Sequence, residues 1–211
     1  MIPTREEWTQ ALEMRHGAEL HRRFSSAVVA VCGLGGLGSH IAIALAHAGI
    51  GKLILIDFDR VDITNLHRQQ YKAEQIGACK TEALAENLRE IAPYLEIGTH
   101  TVRLTEDNAA ELLRNADIIC EAFDNAEAKA MLTETVLTRM PDKYFVAASG
   151  MAGLSSANSI RTRRITNRFY LCGDEISDVN DDIGLVSSRV MLCAAHQAHT
   201  VLRILAGEFE T

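Results

Sequence analysis

With 211 residues, 47% of them hydrophobic, the chain is long enough to bury one substantial core and leaves little room for a second. Its net charge of −7 argues against a protein held to nucleic acid by its overall field, leaving room only for a local basic patch, and three prolines with no low-complexity run argue against disorder. Arg5, Glu6 and Glu7 stand where a secretory signal needs an apolar core, and the longest apolar stretch, Ile41–Ile50, is broken by His47 and too short to span a bilayer, so the expectation is a cytoplasmic protein with no membrane or nucleic-acid partner.

In chain order, residues 1–26 read as a helical arm: Thr4 and Glu7 have capping-box spacing, and Trp8 and Leu12 share a face. Residues 27–211 read as one nucleotide-binding domain. Ala27–Cys32 is a short apolar strand, followed by Gly33-Leu34-Gly35-Gly36-Leu37-Gly38, a small-residue helix, and a second strand, Lys52–Asp57. Gly33 permits a tight turn, Gly35 lets a phosphate approach the backbone, and Gly38 lets the helix pack closely on the sheet. The helix N-terminus then favours an anion, and Asp57 lies at the separation where an acid meets ribose hydroxyls. A lone glycine fingerprint is weak, but strand, helix and acid in sequence point to a nucleotide site; NAD, FAD, SAM and ATP all fit such a turn.

The polar run Phe58–Tyr71 is longer than an ordinary strand-to-helix link, as functional links often are. Helices are expected over Lys80–Ile91, from Thr105 through Leu113 and over Glu127–Arg139, and strands over Leu95–Val102, Asp117–Phe123 and Tyr144–Ala148. Asp124 and Asn125, just past a strand end, should face the same crevice as Gly35 and Asp57. Two short strands are expected near Ser159–Arg163 and Arg168–Leu171. Gly173–Val186 is acidic, with Asp174, Glu175, Asp178, Asp181 and Asp182; such runs are mostly solvated, and a crossover over the active site is the alternative. In the final helix, Ser187–Ala206, Cys193, His196 and His199 share a face, which reads as packing rather than metal binding. The five cysteines are scattered, with no C-x-x-C pair, so they read as free thiols with no zinc site. The expected class is α/β: a Rossmann-like, doubly wound, mainly parallel sheet with helices on both faces and a few antiparallel C-terminal strands.

The ordered set Gly33-Leu34-Gly35-Gly36-Leu37-Gly38-Ser39, Ile56-Asp57-Phe58-Asp59, Asn65-Leu66-His67-Arg68-Gln69, Gly77…Lys80 and Asp124-Asn125 resembles the ThiF/MoeB family, relatives of the ubiquitin-activating enzymes. The compact length, with Ala147–Gly153 and Cys193-Ala194-Ala195-His196-Gln197, is most similar to a short ThiF-like branch associated with thiamine biosynthesis. The resemblance implies a homodimer that uses ATP and Mg²⁺ to adenylate the C-terminal Gly-Gly carboxylate of a ThiS-like, ubiquitin-fold sulfur carrier. Arg68 and Lys80 suit that chemistry as cations for the phosphates, Asn65 as a neutral donor, Asp57 with Asp59 at the ribose side, and Asp124 as the holder of Mg²⁺, directly or through water. Asn125 belongs to the same set by position. The family's N-terminal arginine, which reaches the other subunit's ATP, is not matched by spacing; Arg15 is the substitute.

The residues also depart from the family. Only Cys172 lies near a place where larger members bind zinc, and Gly173–Val186 has no cysteine to capture a carrier, so adenylation rather than covalent sulfur transfer is expected. The alternatives are adenylation of a small-molecule or tRNA-linked carboxylate, a nucleotide-binding scaffold without activity, and an NAD-dependent dehydrogenase.

Overall fold

The inner strands are apolar at nearly every position because both of their faces are covered. In the computed structural model, which describes residues 2–180 and 183–211, β1 (Val28–Cys32) sends Val29 and Val31 into one core and Ala30 and Cys32 into another. Successive strand side chains point to opposite faces, so β2 (Lys52–Ile56), β4 (Ile118–Glu121) and β5 (Tyr144–Ala148) divide their residues in the same way. One core is closed by α2 (Ala18–Ser26), α3 (Gly36–Ala48), α4 (Lys80–Ile91) and α7 (Ser187–Ala206); the other is closed by α5 (Glu106–Leu113) and α6 (Ala126–Arg139).

With β3 (Glu96–His100), β6 (Arg161–Arg164) and β7 (Phe169–Gly173), the sheet order is β3-β2-β1-β4-β5-β7-β6, and only β6 runs antiparallel to its neighbour. The fold is therefore the Rossmann-like α/β arrangement expected. After β1 the chain turns toward β2 and β3, then returns to lay β4 on the other side of β1. The crevice at the carboxyl ends of β1 and β4 is the topological switch point, where open α/β sheets hold ligands.

Two details differ from expectation. The N-terminal segment is two helices, α1 (Arg5–His16) and α2, because Gly17 at φ +84° ends the first, its N–H donating to the Glu13 carbonyl. β7 runs on to Gly173 and pairs with β5 in parallel, which brings the start of the acidic run to the same sheet edge as the glycine loop after β5. Asp181 and Asp182 of that run lie outside the described residues. No helix among the described residues is long and apolar enough to cross a membrane.

Candidate active site

The glycine turn is braced by backbone contacts at Gly33 and Gly38. Gly33 sits at φ +89°, its N–H donates to the Ile56 carbonyl at 2.9 Å, and a Cβ there would stand 2.8 Å from the Ala122 carbonyl oxygen. A Cβ on Gly38 would run into the Gly33 carbonyl, so Gly38 sets the close approach of α3 to β1. Gly35 is different: its added Cβ would meet nothing nearer than Gln69 Nε2 at 3.8 Å, so the protein's own packing leaves room for a side chain there. Gly35 also caps α3 without a side-chain acceptor, which leaves first-turn amides of α3 facing an anion site without a side chain in the way.

Asp57 holds this turn in place. Its Oδ2 accepts from Leu34 N–H at 2.6 Å and its Oδ1 from Asp59 N–H at 2.7 Å, while the Tyr71 hydroxyl donates to the Leu34 carbonyl at 2.7 Å. Both Asp57 oxygens thus already serve the backbone, and Asp59, half-buried beside it, keeps a more accessible carboxylate.

A cleft of about 520 Å³ opens over these strand ends, and Gly33, Gly35, Gly36, Asp57, Asp59, Arg68, Lys80, Asp124 and Asn125 all line it. Lys80 is buried at the first position of α4, its Nζ 3.0 Å from Asp59 Oδ2. A cation at a helix N-terminus opposes the macrodipole, so helix stability does not account for it. Arg68 is held only by long contacts to its own segment: its Nη1 lies 3.3 Å from His67 Nε2 and 3.4 Å from the Thr64 carbonyl, and its buried Nε has no acceptor. Asp124 is exposed and makes no hydrogen bond or ion pair among the described residues. Asn125 caps α6, its Oδ1 accepting from Ala128 N–H at 2.9 Å.

Three of the expected residues stay outside the cleft lining. Gly38 lies beneath the turn. Asn65 turns its side chain to its neighbours, donating to Thr64 Oγ1 at 2.8 Å and accepting from Gln69 Nε2 at 2.7 Å, so Gln69 reaches the cleft in its place. Arg15 is exposed in the last turn of α1, where a cation suits the helix C-terminus, and takes no part in the cleft of its own chain.

A model of the ThiF family matches residues 9–211. The chain belongs to the ThiF family. It is 39% identical over 127 residues to the adenylyltransferase and sulfurtransferase MOCS3 of Aedes aegypti, covering 59% of this chain and 29% of that protein. It is 34% identical over 122 residues to the sulfur carrier protein adenylyltransferase of Thermus thermophilus, covering 57% and 45%. The chain thus spans less than half the length of these curated relatives. The E. coli tRNA N6-threonylcarbamoyladenosine dehydratase TcdA, solved in complex with ATP, shares the fold at a TM-score of 0.86 and 22% identity, with 98% of each chain covered.

In this ThiF-family chain, several cleft residues lie outside the set read from sequence. Lys129 in α6 donates to both oxygens of Glu121, at 2.9 and 3.0 Å, and to the Ala148 carbonyl at 3.0 Å. Glu121 ends β4 fully buried, and desolvation lifts its carboxyl above the usual range despite Lys129 and the Phe123 amide, which favour the charged form. A buried acid ending a strand needs a counter-charge, and that was the available signal for Lys129. Arg103, after β3, lies over the Phe58 ring with 3.8 Å from Cζ to the centroid, and both line the cleft.

The acidic run is not simply solvated. Asp174 forms a buried ion pair with Arg189 at 2.5 Å, and Glu175 pairs with Arg163 at 2.5 Å. Ser177, Asp178 and Val179 line the cleft. Cys193 and His196 serve packing: Cys193 Sγ lies 3.6 Å from the Cys172 carbonyl, and His196 Nδ1 lies 3.0 Å from Thr162 Oγ1.

Proposed function

We propose that this chain is an ATP-dependent adenylyltransferase that activates the C-terminal glycine carboxylate of a small ThiS-like, ubiquitin-fold sulfur carrier, acting as a homodimer. One observation carries the reading: an uncapped glycine turn, two cations from separate segments and an unpartnered carboxylate gather on one cleft at the switch point of the sheet. Hydride chemistry has no use for that set. The name of the Thermus thermophilus relative, a sulfur carrier protein adenylyltransferase, points the same way.

In this reading the triphosphate lies over Gly33–Gly36, against the first amides of α3. The ribose faces Asp59 and the remaining acceptor capacity of Asp57, and the base enters the apolar end formed by Phe58, Val102, Leu104 and Phe123. A carboxylate attacking phosphorus brings two anions together, and Arg68 and Lys80 offset that charge. One carboxylate oxygen bonds to the α-phosphorus in line as the bond to the bridging oxygen breaks; pyrophosphate leaves and the acyl-adenylate remains. No proton has to be moved. Asp124 fits Mg²⁺, because the ion is commonly held by one or two carboxylates plus phosphate oxygens and this carboxylate has no other partner among the described residues. Bound there, the ion supplies charge neutralisation at the phosphates. Gln69 holds Asn65 behind it and presents the polar edge nearest Gly35. Arg15 would meet a nucleotide only across a dimer interface.

The test is ATP–pyrophosphate exchange with a purified carrier ending in Gly-Gly. Exchange that requires the terminal glycine is the expected result; ATP binding without exchange for any such carrier overturns the reading. A second reading, adenylation of a tRNA-linked carboxylate, is suggested by the name of TcdA, a tRNA N6-threonylcarbamoyladenosine dehydratase that shares this fold and was solved with ATP. Exchange stimulated by tRNA and not by a carrier would select it, although a net charge of −7 weighs against a tRNA partner.

A further inference from the structure

Sheet order divides the cleft. The loops after β2 and β3 lie on one side of the β1–β4 centre, and β5 and β7 lie on the other. With phosphates over the turn after β1 and a base toward Phe58 and Val102, the wall left for a second substrate is built by residues 149–152 and 177–179.

That wall is held by one buried ion pair. Arg189, in the first turn of α7, and Asp174, just past β7, have side chains only 5% and 7% exposed. The Arg189 fork donates through Nη2 to Asp174 Oδ2 at 2.5 Å and through Nη1 to the Ser155 and Ser156 carbonyls at 2.6 and 3.0 Å. The other Asp174 oxygen, Oδ1, accepts from the Ile176 and Ser177 amides at 3.0 and 2.9 Å and from the Ser177 hydroxyl at 3.0 Å. Ser177 Oγ in turn accepts from the Ala152 amide at 3.0 Å, which ties the strap to the loop after β5. The two loops touch so closely that Gly150, at φ +78°, has no room for a Cβ beside Asp174 Oδ1.

Such a pair is weak evidence for stability, since apolar residues of equal volume often do as well; what it adds is direction. A cation in the first turn of α7 again opposes the helix macrodipole, so the helix does not call for it. We propose that Asp174 and Arg189 are positioning residues for the second substrate: together they fix the Asp174–Asn180 strap and the Ser149–Ala152 loop as the wall against which the acyl group lies, apart from the nucleotide. The proposal rests on the adenylation reading for the identity of that substrate.

Arg189→Met, Arg189→Lys and Ser177→Ala in the full chain test it, with the ThiS-like carrier as probe. In R189M the KM for the carrier rises at least tenfold while the Kd for ATP stays within twofold, and the amides of Ala152, Ile176 and Ser177 exchange with deuterium faster, with α3 unchanged. R189K keeps the charge without the fork and recovers part of the KM; S177A raises it about threefold and decides the matter if R189M does not fold. Carrier KM unchanged in S177A and R189K, or lost ATP affinity in step with carrier affinity, overturns the proposal. Absence of carrier-dependent exchange in the unaltered protein would sink the adenylation reading instead; deuterium exchange would then still decide whether the pair holds the wall, and unchanged amide protection in R189M would refute that.

Discussion

Lys80 and Arg189 occupy equivalent places, each a buried cation in the first turn of a helix, yet their surroundings differ. Lys80 Nζ has one side-chain acceptor, an Asp59 carboxylate that is itself 47% exposed. Arg189 has an acidic partner as buried as itself and two backbone carbonyls besides. A cation with donors to spare beside an uncapped helix can take an anion from solution; a cation whose two terminal nitrogens are both taken by a buried carboxylate and backbone carbonyls is held by the protein itself. In the proposed reading the two ends of the cleft do different work, one receiving charge and the other fixing shape.

The contrast breaks most readily at Asp124. Asp124→Ala removes an exposed side chain with no described partner, so the melting temperature should stay within about 1 °C. Exchange activity should fall roughly 10³-fold, about 4 kcal/mol of transition-state stabilisation. A matching loss of stability would mean that Asp124 is a structural acid. Lys129→Met probes the opposite behaviour. It leaves Glu121 buried without its cation, so urea melts should show a loss of about 3 kcal/mol, with Glu121→Gln in the same chain restoring part of it.

These differences also mark how far the sequence could be read. The glycine turn, the strands and the order of the motifs were legible because local rules set them: the two-residue alternation of a covered strand, and the steric demand at Gly33 and Gly38. Asp124 was legible because it follows a strand end, and Arg68 and Lys80 because they stand in the ordered motifs that carry the family resemblance. Side-chain direction was not. Asn65 and Gln69 sit four apart in one motif, and only packing decides that Gln69 faces the cleft. Asp174 was read with its acidic neighbours because its counter-charge lies on α7, and no local pattern joins two residues brought together by a crossover. The break of the arm at Gly17 was marked in the sequence by a glycine after the basic pair Arg15-His16, a helix-end signal that the helical-arm reading passed over.

Gly35→Ala sharpens the receiving end. The new methyl group meets no protein atom closer than 3.8 Å, so packing should tolerate it, while it fills the space in which a phosphate would lie. ATP affinity measured by calorimetry should drop about tenfold, near 1.4 kcal/mol, with the melting temperature lowered by no more than a few degrees. A fully retained affinity would place the phosphates elsewhere.

The smallest effect concerns the fixed end. Burial alone would raise the Asp174 carboxyl, but the Ser177 and Ile176 amides, the Ser177 hydroxyl and Arg189 together hold it below its ordinary value of 3.8. A carboxyl lowered in the folded state binds fewer protons there than in the unfolded chain, so its contribution is complete above about pH 5 and fades as pH falls through the lower folded value. Ser177→Ala removes one hydroxyl donor and moves the carboxyl back toward 3.8. The stability gap between the unaltered protein and S177A should therefore be flat between pH 7 and about pH 5 and narrow below pH 3.8, as read from urea melts at each pH. A gap that widens in acid would mean that burial outweighs the hydrogen bonds, and Asp174 would then be a strained acid rather than the satisfied half of a fixed pair.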